Sequence, residues 1–242
     1  MNLVIDIGNT AIKVAFFQDS NLVITAVYSH FETEVFKEAM YNSHYQMAIV
    51  SSVASLDFTN QILNCVKKPL NLSEGTPLPF SNKYGSPTTL GKDRIANAAG
   101  GFTAFPNQNV LIVDAGTCLK FDIITNQKNY LGGSISPGLT MRFKALHNFT
   151  ANLPLIEHYD EQPSLIGIDT QSSIKSGCIN GMKNEIVETI KQYNKSFNDL
   201  KIILTGGEAH FFENIVLSEK NSIFADPFLT LKGLNSILNH NA

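Results

Sequence analysis

The 242-residue chain has no tryptophan and only three cysteines, Cys65, Cys118 and Cys178. An odd number of widely spaced thiols fits neither a disulfide framework nor a metal-ligand spacing, so a reduced, cytoplasmic protein is expected. Charge is sparse as well: 16% of residues are charged and the net charge is -3. Without a basic excess, a nucleic-acid partner is not expected. No apolar run approaches the roughly 18 residues of a membrane span, and the N-terminus lacks a basic segment leading into a long apolar stretch, so no membrane association is expected. The six histidines form no cluster, and no His-Cys or Ser-His arrangement points to a covalent nucleophile. His147 and His210 read as helix or surface residues, and Asp122, Asp160 and Asp169 as loop or cap residues. What the chain does have is apolar bulk, 43% hydrophobic residues. That is enough for one large domain or for two of about 110–120 residues.

Two stretches decide in favour of two. Residues 1–17 read MNLVIDIGNTAIKVAFF and residues 110–124 read VLIVDAGTCLKFDII. Each runs from an apolar strand to an Asp, Asp6 or Asp114, then through a turn with Gly and Thr to a Lys and a second apolar run. Deleting one residue from the first turn brings the two into register, which makes an internal repeat at a spacing of about 108 residues. Domains 1–109 and 110–242 follow. Strands are expected at 2–7, 12–18, 22–28 and 47–53, with helices at 31–45 and 56–67. Residues 69–91, rich in Pro, Gly, Ser and Thr, read as irregular binding loops, and a helix begins near Asp93. The second half repeats the scheme with strands at 110–114 and 118–124 and a helix at 139–146. A long helix follows over 170–193, with Ile174, Cys178, Met182, Ile186 and Ile190 as its stripe. The chain ends on a strand into Gly206-Gly207, a helix over EAHFFENIV and a short C-terminal helix. This is α/β organisation, with helices against mixed sheets.

The DIGNT turn has a mechanical reading. Gly8 and Asn9 tolerate positive φ, so a tight hairpin turn is available. Its backbone N–H groups and the Thr10 hydroxyl suit phosphate oxygens. A carboxylate there repels phosphate unless it holds a bridging cation, and Lys13 adds positive charge nearby. One copy fits a plain hairpin with a solvated Asp equally well. Two copies favour paired turns that clamp a polyphosphate from two sides. Gly206 and Gly207 open the way for a base or ribose to approach the backbone, at the start of a helix. On chemistry alone, either Asp6 or Asp114 suits either of two ions.

Together, DIGNTAIK at 6–13, GKDR at 91–94, DAGT at 114–117, LTGG at 204–207 and the GGSISPGL segment at 132–139 resemble the type III pantothenate kinases. The resemblance runs in order through nearly the whole chain. It implies two tandem ribonuclease-H-like lobes of the actin-like ATPase superfamily and transfer of the ATP γ-phosphate to pantothenate, the opening step of coenzyme A synthesis. It also implies Mg²⁺, a monovalent cation (K⁺ or NH4⁺), and a homodimer with a shared active site; that tips the 170–193 helix, with Gly177 and Gly181 on a face beside its stripe, toward the dimer interface, where its pattern alone fits packing on its own sheet equally well. By the same resemblance Asp6, Ile7, Gly8, Asn9, Thr10, Ala11, Ile12 and Lys13 form the first phosphate motif. Asp6 would hold Mg²⁺ and Asp114 the monovalent cation, while Thr117, Gly206 and Gly207 contact ATP. Gly91, Lys92, Asp93 and Arg94 bind pantothenate with Asp93 as catalytic base, joined by Tyr84 and by Thr170 from across the dimer interface. Lys92 departs from a family pattern that often has a small residue there. An aspartate is a weak base for an alcohol, but phosphoryl transfer rests mostly on positioning and charge stabilisation. Arg94 offers a planar fork for the pantothenate carboxylate or for a transferring oxygen. The rivals are another small-molecule kinase of the superfamily and a non-catalytic regulator that keeps the nucleotide fold. The regulator would be expected to have lost one of Asp6, Asp93 or Asp114.

Overall fold

The computed structural model describes residues 1–159, 162–212 and 223–242. In chain order the first elements are β1 (Asn2–Ile7), β2 (Ala11–Gln18), β3 (Asn21–Ser29), α1 (Thr33–Tyr41), β4 (Met47–Ser52) and α2 (Leu56–Leu63). Then come β5 (Leu70–Asn71), β6 (Ser81–Asn82), α3 (Lys92–Ala104), β7 (Val110–Ala115), β8 (Cys118–Ile124) and β9 (Asn129–Pro137). The last are α4 (Leu139–Asn148), α5 (Thr170–Lys175), α6 (Gly181–Ser196), β10 (Lys201–Thr205), β11 (Ile223–Ala225) and α7 (Leu229–His240).

The strands form two sheets whose orders repeat. One reads β3-β2-β1-β4-β5; the other, taken from its opposite end, reads β6-β9-β8-β7-β10-β11. Setting β6 aside, β1 corresponds to β7 and β4 to β10. β4 runs parallel to β1 as β10 does to β7, and β5 and β11 extend the edges in parallel. The β1-β2-β3 meander is antiparallel. The duplication expected from the two Asp turns is therefore present as duplicated topology. β6 pairs with β9 at Asn129 and Tyr130.

Two compact units result. The first comprises Met1–Asn107, Ile124–Leu131 and Phe228–Ala242; the second comprises Gln108–Ile123 and Gly132–Pro227. A division at residue 109 would leave α7 with the second half, whereas its contacts lie in the first. α7 packs on α3, β1, β2 and β4, and Leu231, Leu234, Ile237 and Leu238 are buried there. Asn2 Nδ2 donates to Asn235 Oδ1 at 2.9 Å and to Asn239 Oδ1 at 2.7 Å, fixing the register of helix on strand. The opposite face of β1 carries Leu3, Ile5 and Ile7, which pack with Phe36, Met40 and Ile62 of α1 and α2. Alternation thus puts Asp6 on the α3 and α7 face of the sheet.

In the second unit Leu111, Val113, Leu119 and Phe121 pack with Phe143 of α4 and with Ile174, Cys178, Met182, Ile186 and Ile190. The expected continuous helix over 170–193 is interrupted by a π turn at Ser176–Asn180. A stripe spaced by four overruns the 3.6-residue turn, and one wider turn restores its alignment. The stripe lies in the chain's own core. Asp169 caps α5, its Oδ1 accepting from Ser172 N at 2.8 Å. Asp122 is not a loop residue; it lies in β8 at 1% exposure. Of the expected helix over EAHFFENIV, only a 3-10 turn at Ala209–Phe211 appears; Glu213–Val216 and Asp160 lie outside the described residues. Among the described residues no helix is long and apolar enough to cross a membrane.

Candidate active site

In the first unit the DIGNT turn joins β1 to β2, with Gly8 N donating to Ala11 O at 3.0 Å and Gly8 O accepting from His30 at 3.1 Å when Nε2 carries the ring proton. Positive φ is absent at both Gly8 and Asn9, contrary to the hairpin reading. A Cβ on Gly8 would meet Ala11 O at 3.4 Å, so the chain itself makes little demand for glycine there. Asn9 and Thr10 are exposed, while Ile7 and Ile12 are core residues and Ala11 is half-buried. Asp6 is 8% exposed and stands opposite half-buried Lys13 and beside Ser51 of the parallel strand β4. Ser51 was not anticipated. Its register with Asp6 puts it on the same face, and its Oγ has no hydrogen-bond partner among the described residues.

The GKDR segment, residues 91–94, opens α3. Gly91 is the N-cap, and Asp93 Oδ1 accepts from Arg94 N at 2.9 Å. A Cβ on Gly91 would come within 2.6 Å of that oxygen, so the glycine leaves room for the carboxylate to turn toward the helix start. Arg94 is 3% exposed, and its guanidinium lies over the Tyr84 ring at 5.3 Å from the centroid. Tyr84 in turn rests near Tyr130, 6.3 Å between centroids. Tyr84 and Arg94 are therefore brought together, and the aromatic face holds the planar cation in place. Lys92 is half-buried, and burial holds its ammonium pKa below the usual 10.5.

In the second unit Asp114 closes β7 at 8% exposure, with Thr117 exposed on the turn. Asp114 stands beside Thr205 of β10. Gly206 follows at φ +97°, and a Cβ there would meet Ala115 O at 2.3 Å and Asp114 Oδ1 at 2.6 Å. Gly207 is different: nothing lies within 4 Å of its Cβ position. Glu208 then ties the turn down. Its N donates to Ala115 O at 2.8 Å, and its carboxylate accepts from Leu139 N at 2.9 Å, Thr140 N at 3.1 Å and Thr140 Oγ1 at 2.9 Å. It caps α4 from a position 68–69 residues away in sequence, which explains why sequence reading passed over it. The GGSISPGL segment is held by Arg142, which pairs with Glu185 and donates from Nε to Pro137 O at 2.9 Å. Thr170 is exposed at the start of α5.

Comparison with known proteins decides what this set belongs to. The type III pantothenate kinase family model matches residues 2–192. The type III pantothenate kinase of Christiangramia forsetii is 48% identical over 254 residues, covering 100% of this chain and 99% of that one. The chain belongs to the type III pantothenate kinase family. The enzyme of the same name from Bacteroides fragilis is 40% identical over 250 residues, with 100% and 98% covered. Among solved structures, a Campylobacter jejuni protein assigned to the Baf family of transcriptional activators aligns at TM-score 0.61 and 22% identity, covering 99% of this chain and 97% of that one. The Arthrobacter inorganic polyphosphate/ATP-glucomannokinase aligns at TM-score 0.54 and 9% identity, with 99% and 98% covered. At these identities the structures speak for the fold alone.

Type III pantothenate kinases use ATP, Mg²⁺ and a monovalent cation. The donors here suit both ions. Asp6, with the orphan Ser51 hydroxyl beside it, offers hard oxygen to Mg²⁺. Among the described residues no three His, Cys, Asp or Glu side chains converge. Asp114 already carries a singly charged partner, Lys120 Nζ at 2.8 Å from Oδ2.

Proposed function

We propose that the chain phosphorylates pantothenate with ATP, giving 4'-phosphopantothenate and ADP, and that it does so with the residues described above. The full-length match to type III pantothenate kinases carries this reading. The acceptor segment supports it. Arg94, buried and held over Tyr84, presents a fixed cation to the pantothenate carboxylate. Asp93 at the helix start takes the proton of the primary hydroxyl as its oxygen bonds to the γ-phosphorus and the bond to the β,γ-bridging oxygen breaks. The DIGNT turn with Lys13, and Thr117 with Gly206 and Gly207, hold the nucleotide phosphates and base. Mg²⁺ at Asp6, when bound, neutralises charge on the phosphate oxygens.

A panel of acceptors incubated with pure protein and ATP tests the assignment. Pantothenate turns over; strong turnover of a sugar without pantothenate would overturn the acceptor and favour another kinase of the superfamily. Asp93→Asn is expected to lower kcat about 10²–10⁴-fold with unchanged thermal unfolding. Intact turnover in that variant removes Asp93 as base.

We further propose a homodimer that completes the acceptor site through Thr170. Leu165, Ile166 and Ile168, just before it, are 80%, 78% and 92% exposed, an apolar stretch that asks for cover. Gly177 and Gly181 have nothing within 4 Å of their Cβ positions, so the chain's own packing does not account for them. Mixing Thr170→Ala with Asp93→Ala subunits leaves one intact hybrid site if the residues act across the interface. No recovered activity would refute the shared site.

A further inference from the structure

The Asp114–Lys120 ion pair stands where the resemblance to type III pantothenate kinases puts a monovalent cation. Its side chains are 12% and 13% exposed, and Nζ stands 2.8 Å from Oδ2. The lysine is not a chance surface partner. Asp6 faces Lys13 across β1 and β2, and the second turn is one residue shorter, which makes Lys120 the repeat's counterpart of Lys13. Its ammonium is delivered from a strand position that the duplicated fold sets. On the other side of the carboxylate, Oδ1 lies against backbone. Cβ atoms at Gly206 and Gly116 would come within 2.6 and 3.4 Å of it. The carboxylate is thus seated between glycine turns and faces a tethered cation.

An alkylammonium carries the same single charge as K⁺ or NH4⁺ and donates hydrogen bonds as NH4⁺ does. Two such charges within about 4 Å on one carboxylate repel each other, the more so in a partly buried site. We infer that Lys120 is a tethered competitor for the monovalent cation at Asp114, so that K⁺ or NH4⁺ binds there only when Lys120 withdraws. The inference rests on reading Asp114 as the cation ligand. Its consequence is quantitative, because apparent affinity falls by the fraction of molecules in which the site is open. A pair closed in about nine molecules of ten weakens cation binding about tenfold, and a tighter pair weakens it more.

The test is thermal unfolding against K⁺ concentration, with tetramethylammonium chloride holding ionic strength constant, for the parent, Lys120→Met and Lys120→Gln. A ligand at 100 times its dissociation constant raises Tm by about 5–10 °C in a chain of this size. Lys120→Met and Lys120→Gln are both expected to reach half of their rise at a K⁺ concentration at least tenfold below the parent's. Using two variants of different polarity keeps the comparison available if one folds poorly. Lys120→Arg, which keeps the charge, should follow the parent. Equal half-rise concentrations in parent and neutral variants, abolished by Asp114→Asn, would overturn the competition and leave Asp114 as ligand. A flat response in parent and variants, with turnover still dependent on K⁺, would place the cation elsewhere and overturn the reading of Asp114 as well.

Discussion

Gly206 and Gly207 look interchangeable in the sequence and are not so in the structure. Replacing Gly206 by Ala puts a Cβ 2.3 Å from Ala115 O, 2.5 Å from Ala115 C and 2.6 Å from Asp114 Oδ1, on a backbone at φ +97°. The left-handed conformation alone costs about 1–2 kcal/mol for a residue with a Cβ. Relieving a clash with backbone atoms of β7 adds roughly 1–3 kcal/mol, because the strand cannot shift without disturbing its core face. The sum, about 2–5 kcal/mol, corresponds to a fall in Tm of roughly 5–15 °C. Gly207→Ala meets nothing within 4 Å, so its unfolding should match the parent to within about 0.5 kcal/mol. If the nucleotide approaches the backbone at Gly207, the same substitution raises KM for ATP. Calorimetry on both variants, with ATP saturation curves for Gly207→Ala, separates a glycine required by the chain from a glycine required by its ligand. Parent-like stability in Gly206→Ala would refute the steric reasoning. An unchanged KM in Gly207→Ala would remove that residue from the nucleotide contacts.

Glu208→Ala leaves the Leu139 and Thr140 amides without their carboxylate and should cost about 0.5–2 kcal/mol, seen as a lower Tm. Gly177→Ala with Gly181→Ala should raise helix stability by up to about 1 kcal/mol per site. The same double variant should weaken association, measured by sedimentation; parent-like association takes these glycines out of the interface. Lys92 tests the acceptor pocket through pH. Its pKa is lowered by burial, so the cost of keeping its ammonium buried is borne at low pH and is relieved as pH rises past the lowered value toward 10.5. Binding of the pantothenate carboxylate beside a charged Lys92 should therefore weaken as pH climbs through that range. Lys92→Met should flatten the KM profile, and an unaltered profile would place Lys92 away from the acceptor.

Much of this was legible in the sequence where one local rule dominates. The apolar alternation of residues 2–18 sets β1 and β2 nearly to the residue, and the small residues after Asp93 set α3. Tyr84 and Arg94 were each expected at the acceptor from the resemblance, but the contact between ring and guanidinium needed coordinates. What escaped depends on contacts distant in sequence or on geometry within a turn. Glu208 reaches α4 across the whole of α5 and α6, and nothing local marks it as a cap. Gly8 and Asn9 invite positive φ, yet the one-residue-longer turn closes without it. The four-residue spacing from Ile174 to Ile190 was visible, but the π turn that reconciles it with helix geometry was not, and the spacing left open whether the stripe meets its own sheet, where the core places it. Asp122 follows the same pattern: its charge suggested a loop, whereas the strand buries it. Lys120 could be seen as the last element of the repeat, but its grip on Asp114 needed coordinates.

The return of α7 to the first unit bears on how the protein is made. A chain emerging from the ribosome presents residues 1–107 long before residues 228–242 exist. Until then the face of β1 that carries Asp6 and Asn2 has no helix α7 to cover it, and Asn235 and Asn239 are not there to receive the Asn2 amide. Apart from the eight residues 124–131, the second unit is contiguous between 108 and 227 and needs no segment translated after it. Order of synthesis and order of completion are therefore inverted: the half that is translated first is finished last. A nascent chain stalled or cleaved before residue 229 would hold a sheet bearing the first phosphate turn with the area under α7 uncovered, a substrate for chaperones and proteases rather than a half-built kinase.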